Sequence, residues 1–349
     1  MTGLHLWLRA EARPTEQRAP LVPADAAALV ARGIPITVED SPTRAFPVQD
    51  YLAAGCTIVP AGSWPDAPED AVIVGIKELP GEPWALRHTH VYFAHAFKGQ
   101  AGSTDLLARF ADGGGELLDI EYLTEGGRRV VAFGYWAGYV GAGLGALVTR
   151  DGLDDAVQPG TREDFDAALS DPDVAPLRAL VIGALGRSGR GAIDALAVAG
   201  AQVTGWDLEH TVDLDRAAIL DHDLLVNCVA STVPMEPFLR AADLELADRR
   251  LRTVADVTCD VTSAHNLLPI NTAVTTWAQP VRVVHDGGRP VSVIAIDNLP
   301  SLLPRESSVD FSADLTALLQ ELPHRRGAWA AAEQAFRRAV GGGAPGDAM

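Results

Sequence analysis

Cysteine is nearly absent from this 349-residue chain: Cys56, Cys228 and Cys259 stand far apart. No two have the short spacing of metal ligands, which argues against a zinc site, and no metal is expected. Cys228 and Cys259 each sit in an apolar strand-like run, which predicts buried free thiols. No apolar run reaches the length of about 20 residues needed to span a bilayer. The amino terminus, Met1-Thr-Gly-Leu-His5, lacks a basic stretch followed by an apolar one. No secretion signal is therefore expected, and the predicted location is cytoplasmic. Positive charge is also scarce, since 28 Lys and Arg against 46 Asp and Glu leave a net charge of −18. Nucleic acid and anionic membranes are polyanions, so neither is expected as a partner. Lysine is used little and Ala, Gly, Asp and Arg heavily, a bias that decides nothing about function. What remains, 48% hydrophobic and 21% charged residues, is ordinary for a globular enzyme. The length predicts two domains, each able to bury its own core.

The most informative stretch is Ala179-Leu-Val-Ile-Gly-Ala-Leu-Gly-Arg-Ser-Gly-Arg-Gly-Ala-Ile193, followed by Val203-Thr-Gly-Trp-Asp207. An apolar run ends in Gly183, Gly186 and Gly189, passes into a helical pattern, and a second apolar strand ends on Asp207. This is the strand, glycine turn, helix, strand and acid order of a dinucleotide site. The glycines let the backbone approach a pyrophosphate, the helix amino terminus supplies N–H donors, and the acid accepts from an adenine-ribose hydroxyl. A glycine triplet alone would be a weak signal; its context strengthens it. Asp207 would repel a 2′-phosphate, and Leu208, Glu209 and His210 offer no arginine to accept one, so NAD is favoured over NADP. The plainer reading of Asp207 is a strand-end turn or helix cap.

Around this unit the chain alternates strands and helices. Strands are expected at 4–9, 34–39, 57–60 and 71–76, with helices at 23–32 and 48–54. A β-hairpin is expected over 116–133, turning at Gly126-Gly127. A glycine-containing helix over 136–147 connects the domains, and 151–177 reads as linker or surface helix. Later strands are expected at 224–229, 253–257 and 291–296. Helices at 307–322 and 328–340 would return to the first domain, and 341–349 would be disordered. The predicted fold is α/β, with two Rossmann-like domains whose parallel sheets are flanked by helices and an active site in the interdomain cleft. The boundaries are 1–135 plus 307–349 for a substrate and catalytic domain, and 136–306 for an NAD-binding domain.

Lys77, in Val72-Ile-Val-Gly-Ile-Lys77-Glu78, and His95, in Val91-Tyr-Phe-Ala-His95, each follow an apolar strand. Carboxyl ends of strands are where open α/β sheets bind ligands. A lysine between apolar walls can lose its proton near neutrality, and a lysine–histidine pair could divide general acid and base work. The plainer readings are a surface lysine and a hydrogen-bonded core histidine. Arg18, Lys98, Gln100, Arg128 and Arg129 supply basic and polar groups suited to a substrate with several carboxylates, although each taken singly could be a solvated side chain. Successive strand residues face opposite sides, so only one of Arg128 and Arg129 should face a given pocket.

Arg9-Ala-Glu, Glu16-Gln-Arg18-Ala-Pro-Leu-Val-Pro23, Pro60-Ala-Gly-Ser-Trp64, Gly75-Ile-Lys77-Glu78, Phe93-Ala-His95-Ala-Phe-Lys98-Gly-Gln100-Ala-Gly102 and Gly127-Arg-Arg-Val-Val-Ala-Phe133-Gly resemble the NAD-dependent, lysine-forming saccharopine dehydrogenases. So do the glycine loop, Val226-Asn-Cys228, Leu251-Arg-Thr-Val-Ala-Asp-Val257 and Ile296-Asp-Asn-Leu-Pro-Ser-Leu-Leu-Pro-Arg-Glu306. The chain is more distantly similar to the alanine dehydrogenase and transhydrogenase fold. The resemblance implies reversible oxidative deamination of saccharopine by NAD to lysine and 2-oxoglutarate, through an imine that water hydrolyses. It implies Lys77 as general base and His95 as acid–base in imine hydrolysis. By the same analogy Arg18, Lys77, Lys98, Gln100, Arg129, Phe133, Thr258, Cys259 and Asp260 would meet the substrate. Arg128, Gly183, Gly186, Arg187, Gly189, Asp207, Thr211, Ala230, Val257, Ile296, Asp297, Asn298 and Leu299 would meet NAD. Ser188 stands where fungal members commonly have cysteine, so no disulfide to Cys228 is expected, and Asn298 replaces a common histidine. A related opine- or alanine-type dehydrogenase, or a nucleotide-binding regulator without turnover, are the competing readings; the pairing of Lys77 with His95 speaks against the last. Whether the protein is a monomer or a dimer is left open.

Overall fold

The computed structural model describes residues 3–97, 102–153, 155–170 and 175–341. They gather into two compact units, Met1–Ala132 with Pro304–Met349, and Phe133–Leu303. The stretch expected to be disordered lies, from 342 onward, outside the described residues.

The first unit alternates β1 (His5–Leu8), α1 (Pro23–Ala31), β2 (Ile36–Glu39), α2 (Val48–Ala53), β3 (Thr57–Val59), β4 (Ala71–Val74), β5 (Thr89–Tyr92), α3 (Ser103–Gly113) and β6 (Glu116–Asp119). All six strands are parallel, in the order β3-β2-β1-β4-β5-β6. Sheets of this kind are covered on both faces, which is why β2 and β4 are buried at every position. The order reverses direction between β1 and β4, so the carboxyl ends of those two strands open onto the crevice where such sheets bind ligands.

The expected hairpin over 116–133 is corrected here. Residues 116–119 pair in parallel with β5 instead, because Leu117 and Leu118 have two faces of core to fill. Only β7 (Thr124–Glu125) and β8 (Arg128–Arg129) form a hairpin. Gly126 and Gly127 turn it at φ 55° and 75°, the two positive values that a tight hairpin turn demands.

The second unit runs through α4 (Gly134–Thr149), α5 (Arg162–Leu169), β9 (Arg178–Ile182), α6 (Arg187–Val198), β10 (Gln202–Trp206), α7 (Leu208–Val212), α8 (Arg216–Leu220), β11 (Leu224–Asn227), β12 (Thr253–Asp256), β13 (Arg282–His285) and β14 (Val291–Ile294). Its sheet has the order β10-β9-β11-β12-β14-β13, parallel except for the edge strand β13. Along β9, Ala179 and Val181 face one core while Leu180 and Ile182 face the other. The chain then forms α9 (Pro304–Glu321) and α10 (Ala328–Val340), which belong to the first unit. Ser308 and Ser312 of α9 accept from the Ala19 and Val22 N–H groups at 2.9 Å each, fixing the segment that follows Arg18.

Glycines weaken an isolated helix by about 1 kcal/mol each, yet α4 holds several in its buried interior. Packing explains them. A Cβ at Gly138 would lie 1.8 Å from the Ser188 carbonyl oxygen, and one at Gly191 would lie 2.0 Å from that of Tyr135. Bare backbone therefore lets α4 and α6 touch just behind the glycine loop. Gly191→Ala should destabilise the protein by about 3 kcal/mol through overpacking. Gly160→Ala, where nothing lies within 4 Å, should leave the melting temperature nearly unchanged; equal melting temperatures for the two variants would contradict this packing.

Candidate active site

Lys77 stands where the first sheet reverses. Strand β1 runs directly into Arg9, which is 1% exposed and lies over the Tyr92 ring at 5.6 Å. Arg9 donates to the Lys77 carbonyl and pairs with Glu11 at 3.3 Å. Glu11 in turn accepts from the Ile76 N–H at 2.7 Å and the Lys77 N–H at 3.0 Å. The backbone on both sides of the Lys77 side chain is thus held by one buried ion pair. Gly75 makes room for it, since a Cβ there would lie 2.5 Å from Arg9 Nε. The Lys77 residue itself is half-buried. Its charge is felt by Glu16 and Glu78, so its electrostatic surroundings are acidic.

Arg18 is buried, and its guanidinium meets Glu16 through Nε at 2.8 Å and Nη2 at 2.7 Å. Burial pushes the Glu16 carboxyl up, but Arg18, helped by Lys77, pulls it below the ordinary glutamate range. Arg18 therefore stands in the crevice with its charge already shared.

His95 follows β5, the neighbour of β4, so the two candidate acid–base residues do stand after adjacent strands. Its ring stacks on Phe93 at 6.2 Å and its Nδ1 lies 3.2 Å from Glu121 Oε2. Its φ of 51° is left-handed, unfavourable for a residue with a Cβ. Strain of that kind concentrates at functional positions, and Cys259, another candidate, shares it at 51°. Beside this pair Asp119 is buried; burial and the Glu121 charge raise its pKa against main-chain N–H groups and His95. Arg128 and Arg129 are both exposed on their short hairpin, and Phe133 starts α4 half-buried. Lys98 and Gln100 lie outside the described residues.

In the second unit the crevice falls between β9 and β11, where that sheet reverses. Gly183 adopts φ 88°, and a Cβ there would lie 2.8 Å from Val229 Cγ2. A Cβ on Gly189 would lie 2.1 Å from the Gly183 carbonyl oxygen. Gly186 begins α6 with no side-chain cap, leaving first-turn N–H groups for an anion, with Arg187 as the first helical residue. Asp207 accepts from the Leu208 N–H at 2.9 Å and from the Leu185 N–H at 3.0 Å. It is a helix cap as well as the strand-end acid, and it ties the glycine loop to β10. Each carboxylate oxygen has two lone pairs, so capacity for a ribose hydroxyl remains. These features fit a dinucleotide: a cradle that side chains would fill, uncapped amides and an acid.

Thr211 sits within α7, its hydroxyl bonded to the Leu208 carbonyl at 2.8 Å, and Ala230 is exposed beyond β11. Val257, Thr258, Cys259 and Asp260 follow β12, where buried Asp256 organises them. It accepts from Asn227 at 3.1 Å, the Thr258 hydroxyl at 2.8 Å and Asn271 at 3.0 Å. Burial, with Asp256 nearby, pushes the Cys228 thiol up to about 12 and raises Cys259 as well, so both are neutral thiols. Ile296 and Leu299 are buried after β14, Asn298 is half-buried and Asp297 exposed.

The family described as alanine dehydrogenase/PNT, N-terminal domain, matches residues 7–140. The saccharopine dehydrogenase [NAD(+), L-lysine-forming] of Candida glabrata is 41% identical over 95% of this chain and 96% of its own length. That of Neurospora crassa is 41% identical over 97% and 96%, and that of Schizosaccharomyces pombe 40% over 92% and 94%. The chain belongs to the saccharopine dehydrogenase (NAD+, L-lysine-forming) family. Among solved structures, an L-alanine dehydrogenase shares the fold with a TM-score of 0.70 at 18% identity, covering 96% of this chain and 94% of its own. A transhydrogenase from Sinorhizobium meliloti gives 0.64 at 15%, covering 91% and 93%.

In this saccharopine dehydrogenase family member, reading the sequence residue by residue missed the supporting acids. Arg9 and Glu11 were visible only as part of a motif, and Glu121 looked like one more hairpin residue. The signal for Glu121 was a carboxyl-end position after an apolar strand, the same one that marked Lys77 and His95.

The Glu16 pair makes a pH-dependent prediction. A carboxyl whose folded pKa is depressed stabilises the fold above its unfolded value, about 4.3, and loses that contribution as pH falls through the folded pKa. In Arg18→Leu the buried Glu16 loses its partner, at a cost of about 3 kcal/mol or more. Acid unfolding followed by circular dichroism should then begin at higher pH than in the wild type; coincident curves would show that the pair contributes nothing.

Proposed function

We propose that the protein catalyses the reversible NAD-dependent oxidative deamination of saccharopine to L-lysine and 2-oxoglutarate. The observation that carries this reading is the clamped Lys77 at the reversal point of a parallel sheet, in a chain similar from end to end to enzymes named for that reaction. The first unit, with its two terminal helices, handles substrate and protons; the second holds NAD through Gly183, Gly186, Gly189, Arg187 and Asp207. Residues Arg128, Thr211, Ala230, Val257 and Ile296 through Leu299 complete the cofactor contacts.

When bound, NAD would supply the hydride acceptor for the glutamyl carbon. Lys77 takes the proton from the secondary amine as general base. Its side chain needs a fixed origin to do so, and the Arg9–Glu11 pair supplies one. His95 manages the protons of imine hydrolysis, turned by Glu121 and braced on Phe93. Arg18, Lys98, Gln100 and Arg129 meet the substrate carboxylates, with Phe133, Thr258, Cys259 and Asp260 completing the substrate contacts. Asp207 sets the preference for NAD, since a 2′-phosphate would meet its charge. This reading goes with a cytoplasmic location and small-molecule partners, and the net charge of −18 disfavours nucleic acid and anionic membranes. Among the described residues no helix is long and apolar enough to cross a membrane.

The direct test is NADH oxidation with L-lysine plus 2-oxoglutarate, compared with pyruvate and with ornithine; a preference for either alternative would overturn the substrate. Lys77→Met should lower turnover by about 100-fold or more with NAD binding intact, and undiminished turnover would remove Lys77 from the mechanism. Asp207→Ala should weaken NAD and narrow its advantage over NADP. A variant that binds both as the wild type does would leave Asp207 a purely structural cap.

A further inference from the structure

Strand β5 ends in register with β6, Tyr92 facing Asp119 in the last paired row. Past that row the chain continues through Phe93 and Ala94 to His95, where a φ of 51° turns it out of the extended path. Two N–H groups on this run are caught from strands on opposite sides of β5. That of Phe93 donates to the Ile76 carbonyl at 3.1 Å, beyond β4 and one residue before Lys77. That of Ala94 donates to the carboxylate of Asp119, the last residue of β6. Through Oδ1 the same carboxylate accepts from the Glu121 N–H at 2.9 Å, capping the single helical turn Ile120–Tyr122. Asp119 is fully buried, so water does not compete for either bond.

Four paired rows already join β5 to β6, and these bonds begin where the pairing stops. The sheet itself therefore does not need them. What they fix is the main chain beneath the contact between His95 Nδ1 and Glu121 Oε2, at 3.2 Å. One amide belongs to the residue just before the histidine and the other to the glutamate itself. A single short side chain thus sets how far apart the two backbones lie. The His95 side chain is 51% exposed, so packing holds it only lightly. A left-handed φ on a residue with a Cβ persists where the surroundings over-determine it, and the bonds at Phe93 and Ala94 do so on the side from which the chain enters. Lys77 hangs by the same device. There Glu11, 5% exposed, accepts from the Ile76 and Lys77 N–H groups at 2.7 and 3.0 Å.

We propose that Asp119 is a positioning residue for the His95–Glu121 pair. Fully buried, it touches neither substrate nor cofactor. It acts by holding the main chain at Ala94 and Glu121, so that the imidazole meets its carboxylate and handles protons from one fixed direction. The role rests on that of His95 in imine hydrolysis, proposed above.

The test is a mutant cycle on turnover of NADH with L-lysine and 2-oxoglutarate, joined to proton–nitrogen NMR of the histidine rings in the full-length protein. Asp119→Leu, similar in bulk but without an acceptor, should lower kcat by about 100-fold, the scale of a misplaced reacting group, and leave the KM for NADH unchanged. Asp119→Asn keeps an oxygen for the two amides and should recover most of that loss. In the His95→Gln background, adding Asp119→Leu should cost less than about twofold more, because a residue acting through another then has nothing left to position. A residue that merely supports the fold would lower both backgrounds alike. The His95 ring signal, identified by its loss in His95→Gln, should shift in Asp119→Leu and return in Asp119→Asn. If Asp119→Leu does not fold, Asp119→Ala serves in both measurements. Equal losses in the two backgrounds, Asp119→Asn as impaired as Asp119→Leu, or an unmoved ring signal would each overturn the role. The ring signal needs no turnover: a wild type inactive on lysine and 2-oxoglutarate would sink the proposed reaction, and the NMR would still decide whether Asp119 places His95.

Discussion

Everything in the first unit turns on one buried ion pair. Arg9 and Glu11 leave the end of β1 together and close on the peptide groups flanking Lys77, one donating to its carbonyl and the other accepting from its N–H. A lysine side chain is long and loses considerable rotamer freedom when ordered. Anchoring the backbone removes one source of that freedom without touching the amine. An isolated buried ion pair is weak evidence for stability, but this one also satisfies main-chain groups that a strand end would otherwise leave open. Its position follows from topology: β1 and β4 are neighbours only because the strand order reverses between them.

Much of this architecture was visible in the chain before any coordinates. Largely apolar runs marked β1, β2, β4, β9, β11 and β12, because strands buried on both faces must read that way. The glycine loop and Asp207 were equally clear, because close backbone approach tolerates no substitute for glycine. The composition held a further signal that was left unused. The chain contains two lysines, Lys77 and Lys98, among 28 basic residues. An amine can give up its proton where a guanidinium cannot, so in so lysine-poor a chain the proposed general base has few places to be.

What escaped was set by tertiary context. Residues 116–119 precede the Gly126-Gly127 turn as a hairpin arm would, and only pairing with β5 makes them a parallel strand. The edge strand β13 has little buried surface to impose a pattern. Helix α3 follows a segment whose glycines hide its start. The acids around Lys77 come from three separate segments, Glu11, Glu16 and Glu78, and no spacing rule joins them. A strand's own residues describe its faces, whereas its end is furnished by other loops.

Asp207 carries a consequence of its own. Its carboxylate accepts from the Leu185 amide in the glycine loop and the Leu208 amide opening α7, while His210 Nδ1 accepts from the Asp207 N–H. The glycine loop and the acid proposed to choose the coenzyme are thus clasped together by hydrogen bonds of the fold itself, so docking a dinucleotide there would cost little ordering entropy. The same economy constrains descent. A lineage drifting toward the phosphorylated coenzyme could not simply discard this acid, because the clasp would open with it; replacement amide partners would have to appear first.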